Sequence, residues 1–310
     1  MVNRDDVRAA RETIGGRLHR TPVFSSATLG RHVFLKAELF QRTGSFKPRG
    51  VLNKLASLTP TERKAGVISA SAGNHAQAVA YGAALDGLDA LLVMWRTASA
   101  AKIAATRGYG ARIDLEADGP GDVFKRLHEL QAETGRTFVP PFDDPLIVAG
   151  QGTVGLEIVE DVPDVDVVVV PVGGGGLISG IATALPHVRI VGVEPTISNA
   201  LTAALEAGRP VPVDARSVAD GLNAPFAGEL PLRVAKERGI EFVLVEEDEI
   251  EAGMRFVYER AKLACEPAGA AAVAALLVGK VAVEDGQTVV CVVSGGNVSG
   301  QTAAAILARP

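Results

Sequence analysis

The sequence predicts an α/β protein made of two open, parallel-sheet lobes, and three observations carry that prediction. Six strand candidates, "GVISAS", "DALLVM", "VDVVVVPV", "VRIVGVE", "EFVLVE" and "QTVVCVVSGG", alternate with helical stretches such as "NHAQAVAYGAAL", "SAAKIAATRGYG", "DVFKRLHELQAETG" and "EIEAGMRFVYERAKLA". That alternation is the pattern of βαβ units with helices on both faces of a parallel sheet. The run "VDVVVV" is apolar at nearly every position, as a central strand buried on both faces should be. At 310 residues, the chain exceeds what one hydrophobic core usually serves.

Lobe boundaries follow from two polar, proline-containing breaks, "LTPTERKAG" (58–66) and "VPPFDDP" (139–145). They enclose a smaller domain, residues 59–142, inserted in a larger one formed by residues 1–58 and 143–310. Bulk composition narrows the class. With 47% hydrophobic residues, 34 glycines and 17 prolines, the chain is a turn-rich globule and not a disordered one. A net charge of -5 gives no reason to expect nucleic acid or an anionic membrane as partner. No run reaches the roughly 18 apolar residues of a membrane span, and "MVNRDDVRAA" is too polar for a secretory leader. Cys265 and Cys291 are too few for a disulfide framework. The expectation is a cytoplasmic protein.

The first candidate for chemistry is "GSFKPRG", Gly44 to Gly50, which places Lys47 just ahead of the helical run "VLNKLASL". A cation at a helix start is electrostatically poor, so this lysine needs a use for its amine. Three loops at strand ends, where open α/β sheets bind ligands, supply a context. "VVVVPVGGGGLISGIA" runs from a buried strand through Gly173, Gly174, Gly175 and Gly176 into an apolar helix, an anion cradle suited to a phosphate. "SASAGNHAQAVA" puts Asn74 at a helix start, and "VVCVVSGGNVSG" puts Ser294 at the end of a buried strand.

A dinucleotide-binding reading competes here, because Glu194 lies about 20 residues past the tetraglycine, where such folds place a ribose-binding acid. Yet the frame is wrong, since the sixth position counted from Gly174 is Ser179, and the reading leaves Lys47, Asn74 and Ser294 unused. Other chemistry is sparse. The five histidines are scattered without metal-ligand spacing, His75 is a weak candidate for a general base, and Cys265 reads as core volume.

A lysine, a phosphate cradle, an asparagine loop and a hydroxyl at a strand end together resemble a pyridoxal phosphate site. The chain resembles the fold type II (tryptophan synthase β-like) enzymes, specifically the threonine/serine dehydratase and serine racemase family. "RTPV", "LKAELFQRTGSFKPRG", "SAGNHAQAVA", "PFDDPLIVAGQGT", "VPVGGGGLISGIA", "VADGL", "CEPAGA" and "VVSGGNVSG" fall in the family's order and spacing. The resemblance implies a cofactor, pyridoxal 5'-phosphate, held between the lobes. It assigns Lys47 to the Schiff base, Phe46 to packing against the cofactor ring, Asn74 to its 3'-oxygen, Gly173 to Gly176 to its phosphate and Ser294 to its pyridine nitrogen. Gly221 of "ADGL" is expected to approach the cofactor and Glu266 of "CEPAG" to lie near the ring. Ser71, Ala72, Gly73, Asn74 and His75 are expected to receive the substrate carboxylate.

The chemistry supports these residue types. A Schiff-base lysine must shed its proton, and burial beside a helix dipole lowers its pKa. A neutral hydroxyl at the pyridine nitrogen leaves the ring a weaker electron sink, which suits β-elimination, where charge departs with the leaving group. The implied reaction converts threonine or serine, small β-hydroxy amino acids, to a 2-oxo acid and ammonia. Lys47 would remove the α-proton, the cofactor phosphate would protonate the departing hydroxyl, and closure of the small lobe would exclude water.

Alternatives within the enzyme class are a serine or 3-hydroxyaspartate racemase/dehydratase and a cysteine synthase, the last carrying "TSGNTG" where this chain has "SAGNH". A regulatory nucleotide-binding protein is the alternative outside it. Racemases of this kind supply a serine just before the glycine of the asparagine loop, where this chain has Ala72. The resemblance also implies at least a dimer. Two departures stand out: Trp95 and Arg96 follow "ALLVM" where relatives continue with proline, and Ala200 replaces the second acid of metal-binding relatives. Glu194 and Ser198 remain as candidate ligands, so the metal content is left open. The chain ends ten residues after Gly300, so feedback control by isoleucine through a further domain is not expected.

Overall fold

The computed structural model describes residues 2–119 and 121–309. Among them ten strands occur: β1 (Val23–Ser25), β2 (Val33–Ala37), β3 (Val67–Ala70), β4 (Ala90–Trp95), β5 (Arg112–Ala117), β6 (Thr137–Phe138), β7 (Val167–Pro171), β8 (Arg189–Pro195), β9 (Glu241–Val245) and β10 (Val289–Val293). They form a six-stranded sheet, β1-β2-β10-β7-β8-β9, and a four-stranded sheet, β5-β4-β3-β6. Every pairing is parallel except the antiparallel edge pair β1–β2.

The central strands explain their own sequences. Alternate residues of β7 point to opposite faces: Val168 and Val170 enter a core with Ile178, Ile181 and Val148, while Val167 and Val169 enter a second core with Val273, Ala271 and Ile250. Both faces are dry, so no polar residue interrupts the strand. The smaller sheet is likewise covered on both faces. Val67 and Leu92 pack with Val79 of the Asn74–Leu85 helix, and Ile68 and Val93 pack with Leu127 of the Val123–Thr134 helix.

The six strands expected from the sequence are all present, and four more appear. β2 escapes a simple pattern because Lys36, fully buried, sits in its middle. β6 has only two residues, and β5, though six residues long, is mostly exposed or half-buried. The helix expected over 249–264 is a correction: it runs Glu247–Phe256, widens into a π-turn over Val257–Ala261, and stops at Lys262, whose φ is +60°. Trp95 ends β4 at a register shift against β5 and packs into both cores of the smaller sheet, while Arg96 reaches Glu116 and Asp118. Among the described residues no helix is long and apolar enough to cross a membrane.

A buried ion network lies under the junction of the two sheets. Arg49, 1% exposed, donates to both oxygens of Glu38 at 2.8 Å and to Glu157 at 2.7 and 2.9 Å. Lys36 donates to Glu157 and to the Thr21 carbonyl, each at 2.7 Å. Desolvated charges of this kind are tolerable only when every partner is present. The network anchors the Pro48–Ala56 helix, which follows Lys47, against β2 and the Pro145–Asp161 helix.

Candidate active site

Lys47 stands at the head of the Pro48–Ala56 helix. Its loop is tied to the segment after β10 by a bridge between Ser45 and Gly295 and by the Phe46 N–H donating to the Ser294 carbonyl at 3.2 Å. Two motifs from opposite ends of the sequence thus become one wall of a cleft between the sheets. The Lys47 amine donates to the Pro141 carbonyl at 3.0 Å and lies 5.2 Å from the centre of the Phe46 ring. Enclosure lowers its pKa to about 8, with the Glu266 carboxylate opposing the shift. A usable fraction of free amine therefore exists near neutral pH.

Gly173 to Gly176 line the same cleft, passing from β7 into the Gly176–Ala184 helix. The first N–H groups of that helix have no intrahelical acceptor, so a bound anion can take them. At Gly174 any side chain would collide with the Phe142 ring; the loop is glycine partly because Phe142 closes over it.

Asn74 opens the Asn74–Leu85 helix, and its Nδ2 donates to Glu266 Oε1 at 2.7 Å. Glu266 precedes the Pro267–Leu277 helix and is 2% exposed. Burial, with Asp220 adding to it, pushes its pKa up to about 7. Gly221, in the Asp220–Leu222 turn, lines the cleft beside it. Asp220 pairs with Lys102 of the Ala100–Gly108 helix, so an ion pair links the layers of the two sheets next to Gly221.

Phe46, Lys47, Asn74, Gly173 to Gly176, Gly221, Glu266 and Ser294 therefore share one cleft. Ser71, Ala72, Gly73 and His75 do not line it. Ser71 Oγ accepts from the Gly73 N–H at 3.2 Å, and Ala72 is buried in a core of the smaller sheet. His75 Nε2 lies 3.0 Å from the Val139 carbonyl, which can only accept, so Nε2 carries the proton. Burial, then the Lys47 charge, lowers its pKa to about 3, leaving a neutral ring. The Cys265 thiol is pushed well above its ordinary range by burial and is inert.

Glu194 also lies elsewhere. Its carboxylate accepts from the N–H groups of Leu201 and Thr202 at 2.8 and 2.9 Å, serving the first turn of the Ala200–Ala207 helix. Ser198 Oγ donates to the Leu222 carbonyl at 3.2 Å. Among the described residues no three His, Cys, Asp or Glu side chains converge as a metal site. The cleft adds Pro141, Phe142 and Gln151, which sequence reasoning left without roles although "PFDDPLIVAGQGT" contains all of them.

The profile of the pyridoxal-phosphate dependent enzymes matches residues 15–295. The chain belongs to that family. It is 44% identical to the L-threonine ammonia-lyase of Thermotoga maritima, over 96% of this chain and 76% of that protein. It is 42% identical to the catabolic L-threonine dehydratase TdcB of Escherichia coli K12, over 95% and 92%. Among solved structures, maize serine racemase superposes with a TM-score of 0.92 at 35% identity, covering 97% of this chain and 95% of that one. The serine racemase of Dictyostelium discoideum gives 0.89 at 32%, covering 96% and 99%. The family's cofactor suits what the cleft presents: an enclosed amine of lowered pKa, a side-chain-free loop at a helix start, and at Ser294 a hydroxyl in place of a charge.

Proposed function

We propose that this enzyme is a pyridoxal phosphate-dependent ammonia-lyase that converts threonine, serine or both to the 2-oxo acid and ammonia by β-elimination. The observation that carries the proposal is the Lys47 amine, held at a pKa of about 8 in one cleft with the glycine loop and the uncharged Ser294. Its relatives named as threonine ammonia-lyase and dehydratase support the same reading.

Bound pyridoxal phosphate supplies a carbonyl that captures the substrate amine and a conjugated ring that takes up the electron pair left at Cα. Gly173 to Gly176 would hold the phosphate through backbone N–H groups. Ser294 would offer the pyridine nitrogen a neutral partner, Asn74 would serve the 3'-oxygen, and Phe46 would pack against the ring. With the cofactor bound, Lys47 would take the α-proton onto Nζ. The β-hydroxyl leaves with a proton as water, and the released enamine tautomerises and hydrolyses to 2-oxo acid and ammonia. Backbone and hydroxyl groups of Ser71 to His75 bind the substrate carboxylate when residues 59–142 close on the larger domain and exclude water. Assembly into at least a dimer belongs to the same proposal and is read by light scattering.

A second reading, racemisation, is favoured by the superposition on maize serine racemase. Ala72, whose methyl group donates no proton, argues against it. A panel of β-hydroxy amino acids decides, with 2-oxo acid, ammonia and product chirality measured together. Equal yields of oxo acid and ammonia from L-threonine or L-serine, with little D-product, are expected. D-serine formed as fast as pyruvate would overturn the lyase assignment.

A further inference from the structure

Asn297 follows the Ser294 loop and does not line the cleft, yet three features are built around it. Its Nδ2 donates to the Thr43 carbonyl at 2.6 Å and to Asn74 Oδ1 at 2.8 Å. The turn that presents the Thr43 carbonyl is strained: Thr43 has φ +61°, unusual for a residue with a side chain, and its Oγ1 is buried without a partner. Gly44 follows at φ +73°, and a Cβ there would lie 2.6 Å from Asn297 Oδ1. The Gly296 N–H, donating to the Gly44 carbonyl at 2.9 Å, ties the turn down on the other side.

The orientation of both amides follows from acceptors at the two ends of the chain. A carbonyl accepts only, so the Asn297 atom facing Thr43 is the nitrogen. The two protons of that nitrogen are spent on Thr43 and on Asn74, which must therefore turn its oxygen toward Asn297. Asn74 Nδ2 is left pointing the other way, 2.7 Å from Glu266 Oε1, with one proton uncommitted. An isolated asparagine amide has no such preference, since turning it over exchanges a donor for an acceptor of nearly equal size.

We propose that Asn297 is a positioning residue: it locks the Asn74 amide with its nitrogen toward the cleft, so that Asn74 meets the bound cofactor as a donor. The inference rests on the placement of Asn74 at the cofactor's 3'-oxygen. Asn297 also holds the Thr43 carbonyl, but its effect on the cofactor runs through Asn74, and this distinguishes it from a residue that merely stiffens the loop.

The test uses holoenzymes of Asn297→Ala, Asn297→Asp, Asn74→Ala and the Asn74→Ala/Asn297→Ala double variant. Pyridoxal phosphate affinity is measured by equilibrium dialysis, and the pH midpoint of the visible cofactor absorbance by titration. Asn297→Ala should weaken cofactor binding about tenfold, the scale of one lost hydrogen bond to a polar ligand, and shift the midpoint in the same direction as Asn74→Ala. Asn297→Asp, similar in shape but unable to donate, should do at least as much and covers the case in which the alanine variant fails to fold. In the double variant Asn297→Ala should add nothing to Asn74→Ala. Additive losses, or an unmoved midpoint in both Asn297 variants while Asn74→Ala moves it, would overturn the proposal. If Asn74→Ala itself leaves affinity and midpoint unchanged, the placement of Asn74 fails, and the proposal with it.

Discussion

Asn74 and Glu266 meet across the cleft, the amide nitrogen of one 2.7 Å from a carboxylate oxygen of the other. Asn74 begins the helix that covers the smaller sheet, and Glu266 begins one that covers the larger. This hydrogen bond joins the two layers where the glycine loop and Lys47 converge, and it ties a titrating carboxyl to the residue expected at the cofactor.

Glu266 makes the cofactor-free protein pH-sensitive. Its pKa rises from an ordinary 4.5 to about 7 on folding, so the folded state binds the extra proton. Stability from this group is complete below pH 4.5 and is lost as pH rises through 7. Glu266→Gln keeps an acceptor for Asn74 and removes the titration. Its gain in unfolding free energy over the unmodified protein should be on the order of 3 kcal/mol at about pH 8 and should vanish near about pH 4. Urea titrations at both values check this; a pH-independent difference would refute it.

Borohydride reduction of the holoenzyme should attach the cofactor to the peptide containing Lys47, read by mass spectrometry. Lys36 and Lys54 are the nearest lysines in sequence, and both are engaged, with Glu157 and with Asp144. Lys47→Ala should lower the elimination rate at least about 10³-fold. Labelling at Lys36 or Lys54 would refute the assignment.

Arg49→Ala should destabilise the protein by about 3–5 kcal/mol, because it strands Glu38 as a buried carboxylate without a cation and leaves Glu157 with Lys36 alone. Thermal unfolding measures the loss. A change below about 1 kcal/mol would mean that water enters to solvate the network.

Ala72→Ser tests stereochemistry. The resemblance puts a face-opposing hydroxyl at this position in racemases, and in this structure the Ala72 methyl is buried in a core. The serine variant should raise D-serine formation from L-serine above the unmodified enzyme's level, as chiral chromatography would show. No increase would mean that the loop does not bring residue 72 to the substrate.

Local signals determined much of this protein. β-branched runs such as "VVVV" specify strands buried on both faces because any polar atom there would go unpaired, and glycine runs at strand ends mark where backbone must approach a ligand or another ring. Lys47, Asn74, Gly173 to Gly176 and Ser294 were legible as strand-end and helix-start candidates, and the resemblance to a family whose motifs keep the same order joined them with Gly221 and Glu266 into one set. Tertiary structure alone decided the rest. β2 is hidden by Lys36, whose buried charge is stable only once Glu157, 121 residues away, comes to meet it. The Lys47 pKa depends on enclosure by residues from both sheets, and Asn297 acquires its place only when the strained Thr43–Gly44 turn and Asn74 arrive beside it. Hydrogen bonds and desolvation act between neighbours in space, and no spacing along the chain encodes their geometry.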